Sequence, residues 1–399
     1  MVLPVVSLLL HAWIAWRLVP DPGAPWGPMM LAVIALSALT APFGLGLRRA
    51  AGHGRWRRAA SRIGLIAIGF FSSLLVLTLL RDLGLLVLAA LDLAGLVGLG
   101  ATAAGAVERI SAQAVAAAAV GVTAWGFINA RRTAAVRRVD VPIAGLPASL
   151  HGFTIAQLSD LHVGPTIRRP YVERVVAVVN TLDADLVAIT GDLVDGSVRE
   201  LAPHVAPLAD LRSRAGTFFV TGNHEYYSGA DAWVRELRRL GLTVLLNEHR
   251  VVQRGDAVLV VAGVTDFSAG HFDRAGASDP TRALAGSPPA ALRVLLAHQP
   301  RSAEAAEAAG FDLQLSGHTH GGQFLPWNFL VRLQQPFTAG LKRWRRMWVY
   351  TSRGTGYWGP PKRFGAPSEI TLLRLVTAPP AVPAPSVTAP RAAPAASGV

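Results

Sequence analysis

Ser316-Gly317-His318-Thr319-His320-Gly321-Gly322-Gln323, directly after the apolar run 311–315, is the stretch whose reading decides how this chain folds. A strand that ends in a glycine-rich turn can aim two imidazoles, two residues apart, into one pocket, and imidazole is the commonest metal ligand. Taken alone, a His-x-His pair decides little. Four more pieces precede it in order: Asp160-Leu161-His162, Gly191-Asp192, Gly222-Asn223-His224-Glu225 and His298, each just past a short apolar run.

Each piece by itself has a plainer reading. Asp-x-His is usually an ordinary loop, Gly-Asp most often caps a following helix, and a lone histidine ending an apolar strand is usually structural. The spacing nevertheless permits chemistry. On a strand-like backbone Asp160 and His162 would project to one side, and a carboxylate with an imidazole makes a mixed oxygen and nitrogen set suited to Mn, Fe or Zn.

In series, Asp-x-His, Gly-Asp-x-x-Asp, Gly-Asn-His-Glu, a lone His and Gly-His-x-His resemble the calcineurin-like metallophosphoesterase superfamily across roughly 152–375. The Gly-Gly-Gln extension is similar to its membrane-associated branch. The resemblance implies a β-sandwich flanked by helices and two divalent metal ions. It places Asp160, His162 and His320 on the first metal. Asn223, His298 and His318 fall on the second, with Asp192 bridging the two. It leaves Asp195 in support, Glu225 orienting its loop, and His224 off the metals, as the catalytic residue that meets the scissile phosphate. An extended backbone at 223–224 would point His224 away from Asn223.

Composition adds the membrane. The 399 residues are 51% hydrophobic and only 16% charged, with a mean hydropathy of +0.38. Those values are too apolar for an ordinary soluble enzyme. Of the formal charge of +13, residues 1–140 carry +8, so the excess fits arginine-rich loops at lipid headgroups better than nucleic acid. The chain has no cysteine, which excludes disulfides, thiolate ligands and a cysteine nucleophile.

Apolar runs at 2–19, 29–47, 63–80, 83–106 and 112–130 are candidate spans. The organisation expected is a multi-pass helical bundle of four or five spans over 1–130, in the plasma or inner membrane. A basic linker at 131–150, an α/β domain at 151–376 and a disordered Ala/Pro-rich tail at 377–399 follow. Asp92 lies inside the fourth run and is either a functional carboxylate or part of a helix that packs in the bundle. Arginines 48, 49, 55, 57, 58 and 62 and arginines 131, 132, 137 and 138 both signal the inner side. Five spans set the two clusters against each other and four reconcile them, so the side of the catalytic domain stays open.

The expected activity is phosphodiester or pyrophosphate hydrolysis of a lipid-linked substrate such as UDP-diacylglucosamine, by attack of metal-bound hydroxide. A phosphomonoesterase and a catalytically silent scaffold are the alternatives, and the oligomeric state stays open. Lys342–Trp348, basic and aromatic in alternation, reads either as a headgroup contact or as a solvated loop with its tryptophans packed inward.

Overall fold

Long apolar stretches broken only by short polar segments give helices at the N-terminal end. In the computed structural model, which describes residues 2–19, 21–49 and 55–378, these are α1 (Val2–Leu18), α2 (Gly27–Arg49), α3 (Arg55–Leu93) and α4 (Ala101–Arg131). Three of them hold stretches long and apolar enough to cross a membrane: Gly27–Gly44, Ala59–Leu93 and Ala101–Arg131. The apolar part of α1, Val5–Leu18, is shorter. Helices α2 and α3 cross in near backbone contact, since a Cβ on Gly64 would lie 2.3 Å from the Gly44 nitrogen. Such small-residue crossings are common where lipid gives no hydrophobic push between helices.

The expected third and fourth spans are one helix. The charges at Arg81 and Asp82 do not break it because they have partners: Asp82 accepts from Arg17, and Arg81 donates to Ser111 Oγ and to the Glu108 carbonyl. The chain turns later, around Gly95 at φ +70°. There Asp92 Oδ1 accepts from Leu99 N at 2.7 Å, so Asp92 closes a turn instead of burdening a bilayer. The α4 helix starts at Ala101, well before the expected fifth run.

The stretch 131–150, expected as a linker, forms strand β1 (Ala135–Ile143), paired in parallel with β12 (Glu369–Thr377). Its basic residues hid a strand that lies at a sheet edge, where one face is solvated. The other strands are β2 (Thr154–Leu158), β3 (Leu186–Ile189), β4 (Thr217–Phe219), β5 (Thr243–Val244), β6 (Glu248–Arg254), β7 (Ala257–Gly263), β8 (Leu292–Leu296), β9 (Leu313–Ser316), β10 (Gly340–Trp344) and β11 (Met347–Thr351). They build two six-stranded sheets, β1-β12-β2-β3-β4-β5 and β10-β11-β9-β8-β7-β6.

Period-two alternation sets the layers. Leu186 and Ala188 face the second sheet beside Ile155, Leu259, Val294 and Leu315. Val187 and Ile189 face the opposite way, onto α5 (Arg169–Asn180) through Val172, Val175 and Val179, and onto α8 (Ala230–Arg239) through Trp233 and Leu237. Helix α6 (Val198–Val205) packs on that side through Leu201, and α7 (Asn223–Ser228) opens the loop before α8. On the far side of the second sheet, α9 (Pro280–Leu284) and α10 (Ala303–Ala309) bury Ala283, Ala303 and Ala306. A short α11 (Trp327–Leu330) follows the histidine turn. The result is the expected sandwich flanked by helices.

Lys342–Trp348 is the β10–β11 hairpin. Trp344 packs on Phe337, Trp348 Nε1 donates to the Pro142 carbonyl, and Arg345 and Arg346 meet Glu307. The inward-packed alternative therefore holds. The proposed tail falls almost wholly on 379–399, outside the described residues.

Candidate metal centre

All five sequence motifs leave the carboxyl ends of parallel strands: β2, β3 and β4 in one sheet, β8 and β9 in the other. In open α/β sheets that is where side chains from separate strands converge. Backbone bonds clamp the loops together, Asp160 N to Gly191 O at 3.0 Å and His162 N to Asp192 O at 3.1 Å, while Gly317 N donates to His298 O at 2.9 Å.

One local expectation fails. Asp160 and His162 are not strand-like; their φ values are +54° and +51°. Asp192 (+51°), His318 (+69°) and His320 (+51°) share the left-handed region, which non-glycine residues seldom adopt. The extended backbone imagined at Asn223–His224 is also absent, because both lie in α7. Packing between the loops overrides local preference. A Cβ on Gly317 would sit 2.2 Å from Asp160 Oδ2, and one on Gly222 would sit 2.3 Å from Asp192 Oδ1, so only glycine lets these turns close.

The predicted ligands gather into clusters whose atoms lie within 4.8 Å of one another, Asp160, His162 and His320 in one and Asp192, His298 and His318 in the other; His224, expected off the metals, forms a third such group with His162 and Asp192. His162 Nε2 and His320 Nε2 face each other at 3.1 Å, as do His318 Nδ1 and His298 Nε2. Asp192 Oδ2 stands 3.1 Å from His298 Nε2 and 3.8 Å from His162 Nε2, so one carboxylate reaches both groups. The donor set fits cations. Burial pushes His318 down to about 3, with His298 adding to the shift, and burial with His162 and Arg363 holds His320 well below the usual imidazole range. Both rings therefore stay uncharged. Burial opposes charge on Asp192, yet the imidazoles of His298, His224 and His162 hold its carboxyl well below the usual range. Burial chiefly raises Asp160, a cost that a cation would offset.

Asn223 supplies an independent test. Its Oδ1 is buried with no hydrogen-bond partner, and buried carbonyl oxygens are rarely left so. A buried neutral oxygen without a partner, on the residue before His224, fits a metal ligand.

The supporting shell is equally specific. Asp195 Oδ1 takes His162 Nδ1 at 3.1 Å and His224 Nδ1 at 2.6 Å. With those protons on Nδ1, each ring keeps Nε2 for the pocket. His298 Nδ1 donates to the Thr190 carbonyl at 2.8 Å, with the same consequence. Glu225, fully buried, accepts from Gly222 N, Asp192 N and Leu193 N. It ties two motif loops together, and burial with Asp192 nearby pushes its carboxyl up to about 8.

Two participants were missed in the sequence. Arg363 is fully buried and donates to the carbonyls of Gly356, Ala366 and His320 and to His320 Nδ1 at 3.0 Å. Its only signal was an arginine in the Gly/Pro-rich stretch 354–365. Gln323, seen only as part of the extension, clamps that stretch: Nε2 donates to the Trp358 and Pro360 carbonyls, and Oε1 accepts from Trp358 N.

The family model for calcineurin-like phosphoesterases matches residues 153–322. The transmembrane protein with metallophosphoesterase domain of Bos taurus is 44% identical over 266 residues, 64% of this chain and 60% of its own length. An uncharacterized metallophosphoesterase of Helicobacter pylori is 42% identical over 224 residues, covering 56% of this chain and 59% of that one. One from Aquifex aeolicus is 34% identical over 229 residues, 55% of this chain and 84% of the relative. The chain thus spans about 60% of the length of the first two and most of the third. Motifs, sandwich, ligand geometry and relatives agree: the chain belongs to the calcineurin-like metallophosphoesterase family.

Proposed function

We propose that the chain is a membrane-anchored, dinuclear metal-dependent phosphoesterase acting on a lipid-linked diester or pyrophosphate, of which UDP-diacylglucosamine is the type. The observation that carries the metal reading is the pair of triads joined by Asp192, and the buried, partnerless Asn223 Oδ1 agrees with it. Asp160, His162 and His320 would hold one cation, Asn223, His298 and His318 the other, and Asp192 both. Divalent cations bound there would neutralise phosphoryl charge and make a water nucleophilic near neutral pH. His224, its Nδ1 proton held by Asp195, would have to enter the step as imidazolium to give a proton from Nε2 to the leaving oxygen, and would be left neutral with its proton on Nδ1.

The lipid side of the reading rests on the rim. Trp358 and Tyr227 stand 5.9 and 5.5 Å from the His224 ring, and Tyr227 contacts Phe272. Immediately after the histidine turn, Trp327, Phe329, Leu330 and Leu333 are exposed, and Ser72 of α3 hydrogen-bonds the Leu325 carbonyl. An apolar margin tied to a membrane helix suits a substrate presented by lipid. If all four helices cross, residues 50–54 and the catalytic domain share one side. Both arginine clusters then lie on that side, which the positive-inside rule makes cytoplasmic.

The test uses the full-length protein in detergent with Mn²⁺. It compares bis(p-nitrophenyl) phosphate, p-nitrophenyl phosphate and UDP-diacylglucosamine in mixed micelles, against chelator and Asp192→Ala. Diester or lipid turnover that both controls abolish is expected. Turnover confined to the monoester would replace the diester reading, and a folded, metal-loaded protein inert on all three would overturn it.

A further inference from the structure

Where α3 and α4 meet the catalytic domain, a cleft of about 240 Å³ opens between Arg62, Leu65 and Ile66 of α3, Arg131 of α4, and Thr166 and Pro361 of the domain. Both arginines stand at the domain-side ends of the apolar stretches Ala59–Leu93 and Ala101–Arg131. Arg62 Nη2 donates to the Pro165 carbonyl at 2.7 Å. Arg131 Nη1 donates to Phe127 O at 3.3 Å, with its guanidinium 3.1 Å over the Phe127 ring. Among the described residues neither forms an ion pair with a carboxylate, and most of their donors stay free. Two cations lining one cleft repel unless an anion lies between them. Above them Ile63 and Ile66 expose an apolar face of α3.

We propose that this cleft binds the phosphate of an anionic phospholipid. Arg62 and Arg131 donate to its oxygens, the Thr166 hydroxyl adds a third donor, and an acyl chain lies along Ile63 and Ile66. The guanidinium fork matches phosphate oxygens, and basic pockets between membrane helices at the surface take anionic head groups. The position also links the lipid to the metal centre. Thr166 lies in the turn leaving His162, closed by Gly164 N to Ile167 O at 2.9 Å. Pro361 precedes Lys362, which donates to Gly69 O and Ser73 Oγ of α3, and Arg363, which holds His320. The inference rests on α3 and α4 sitting in a bilayer, and not on any hydrolytic chemistry.

The experiment titrates full-length protein in maltoside micelles with phosphatidylglycerol, phosphatidylcholine and, separately, inorganic phosphate, following heat by calorimetry. Saturable binding of phosphatidylglycerol is expected, about fivefold weaker for each arginine removed in Arg62→Gln and Arg131→Gln. Arg109→Gln, at the other end of α4, should bind as the parent does. Equal affinity for inorganic phosphate, lost in the same variants, would keep the phosphate site and assign it to the free anion. Melting temperature in phosphatidylcholine checks that each variant is folded, and Arg62→Lys preserves charge if Arg62→Gln is not. Phosphatidylglycerol binding that is absent, or unchanged in the folded double variant, overturns the proposal whatever the hydrolase assays give.

Discussion

Replacing Asp195 by Asn tests the centre at the point where it is most connected. One oxygen, Oδ1, accepts from His162 Nδ1 at 3.1 Å and from His224 Nδ1 at 2.6 Å. Asparagine keeps the shape and one acceptor but removes the charge. A hydrogen bond to a charged group contributes about 1.5–3 kcal/mol and a neutral one about 0.5–1.5. Losing charge assistance in two bonds therefore costs about 2–3 kcal/mol, a fall of roughly 30- to 150-fold at 1.4 kcal/mol per decade. The independent expectation for a partner behind a metal-ligating histidine is about 10- to 100-fold in affinity or activity, so the two agree. The assay measures kcat/KM on bis(p-nitrophenyl) phosphate and metal content at fixed free Mn²⁺, for Asp195→Asn, His224→Ala and the double variant. If Asp195 acts through both rings, the double variant is slower than His224→Ala alone and binds metal more weakly. An Asp195→Asn enzyme within threefold of the parent, with unchanged metal content, refutes the argument.

Gly317→Ala would drive a Cβ to within 2.2 Å of Asp160 Oδ2 and 1.9 Å of Ser159 Oγ; overpacking of this kind costs about 1–3 kcal/mol, and metal content should fall with activity. Arg363→Lys keeps the charge but cannot reproduce the fork, leaving at least one buried acceptor unpaired at about 1–3 kcal/mol; a calorimetric melting temperature unchanged by it would contradict the role assigned here. Chelation should lower the melting temperature of the parent, since a ligand present at 100 times its Kd stabilises by about 2.7 kcal/mol, and should leave Asp192→Ala unmoved. With four crossings, reporters fused after residue 54 and after residue 378 should report the same, cytoplasmic side; opposite sides would rule that topology out.

Much of the candidate site was legible because the proposed ligands are rare residue types in a fixed order, each following an apolar run. Those runs are β2, β3, β4, β8 and β9, buried on both faces, so continuous hydrophobicity was the right signal. Legibility failed where partners lie far away in sequence. Strand β1 reads as a basic linker because its order comes from β12, more than 200 residues later. Arg81 and Asp82 read as a break between spans because their partners, Arg17, Glu108 and Ser111, sit on two other helices. Arg363 carried no pattern at all. Its role exists only once the stretch clamped by Gln323 folds back over His320.

The left-handed residues explain why local reasoning misjudged the backbone of the loops that carry the candidate ligands. Asp160, His162, Asp192, His318 and His320 each hold a backbone conformation that costs about 1–3 kcal/mol. Such a cost is tolerated only where surroundings over-determine it. Here those surroundings are the paired loop hydrogen bonds, Glu225 spanning two motifs, and glycines that let the turns touch. Five strained positions in one pocket, on a sandwich whose core is otherwise regular, mean that the fold is organised around holding these side chains. A bound cation would draw on that strain directly: ligands already bent toward one another need little rearrangement to coordinate. Histidines outside the site have plainer partners: His151 bonds a threonine hydroxyl and His249 a backbone carbonyl.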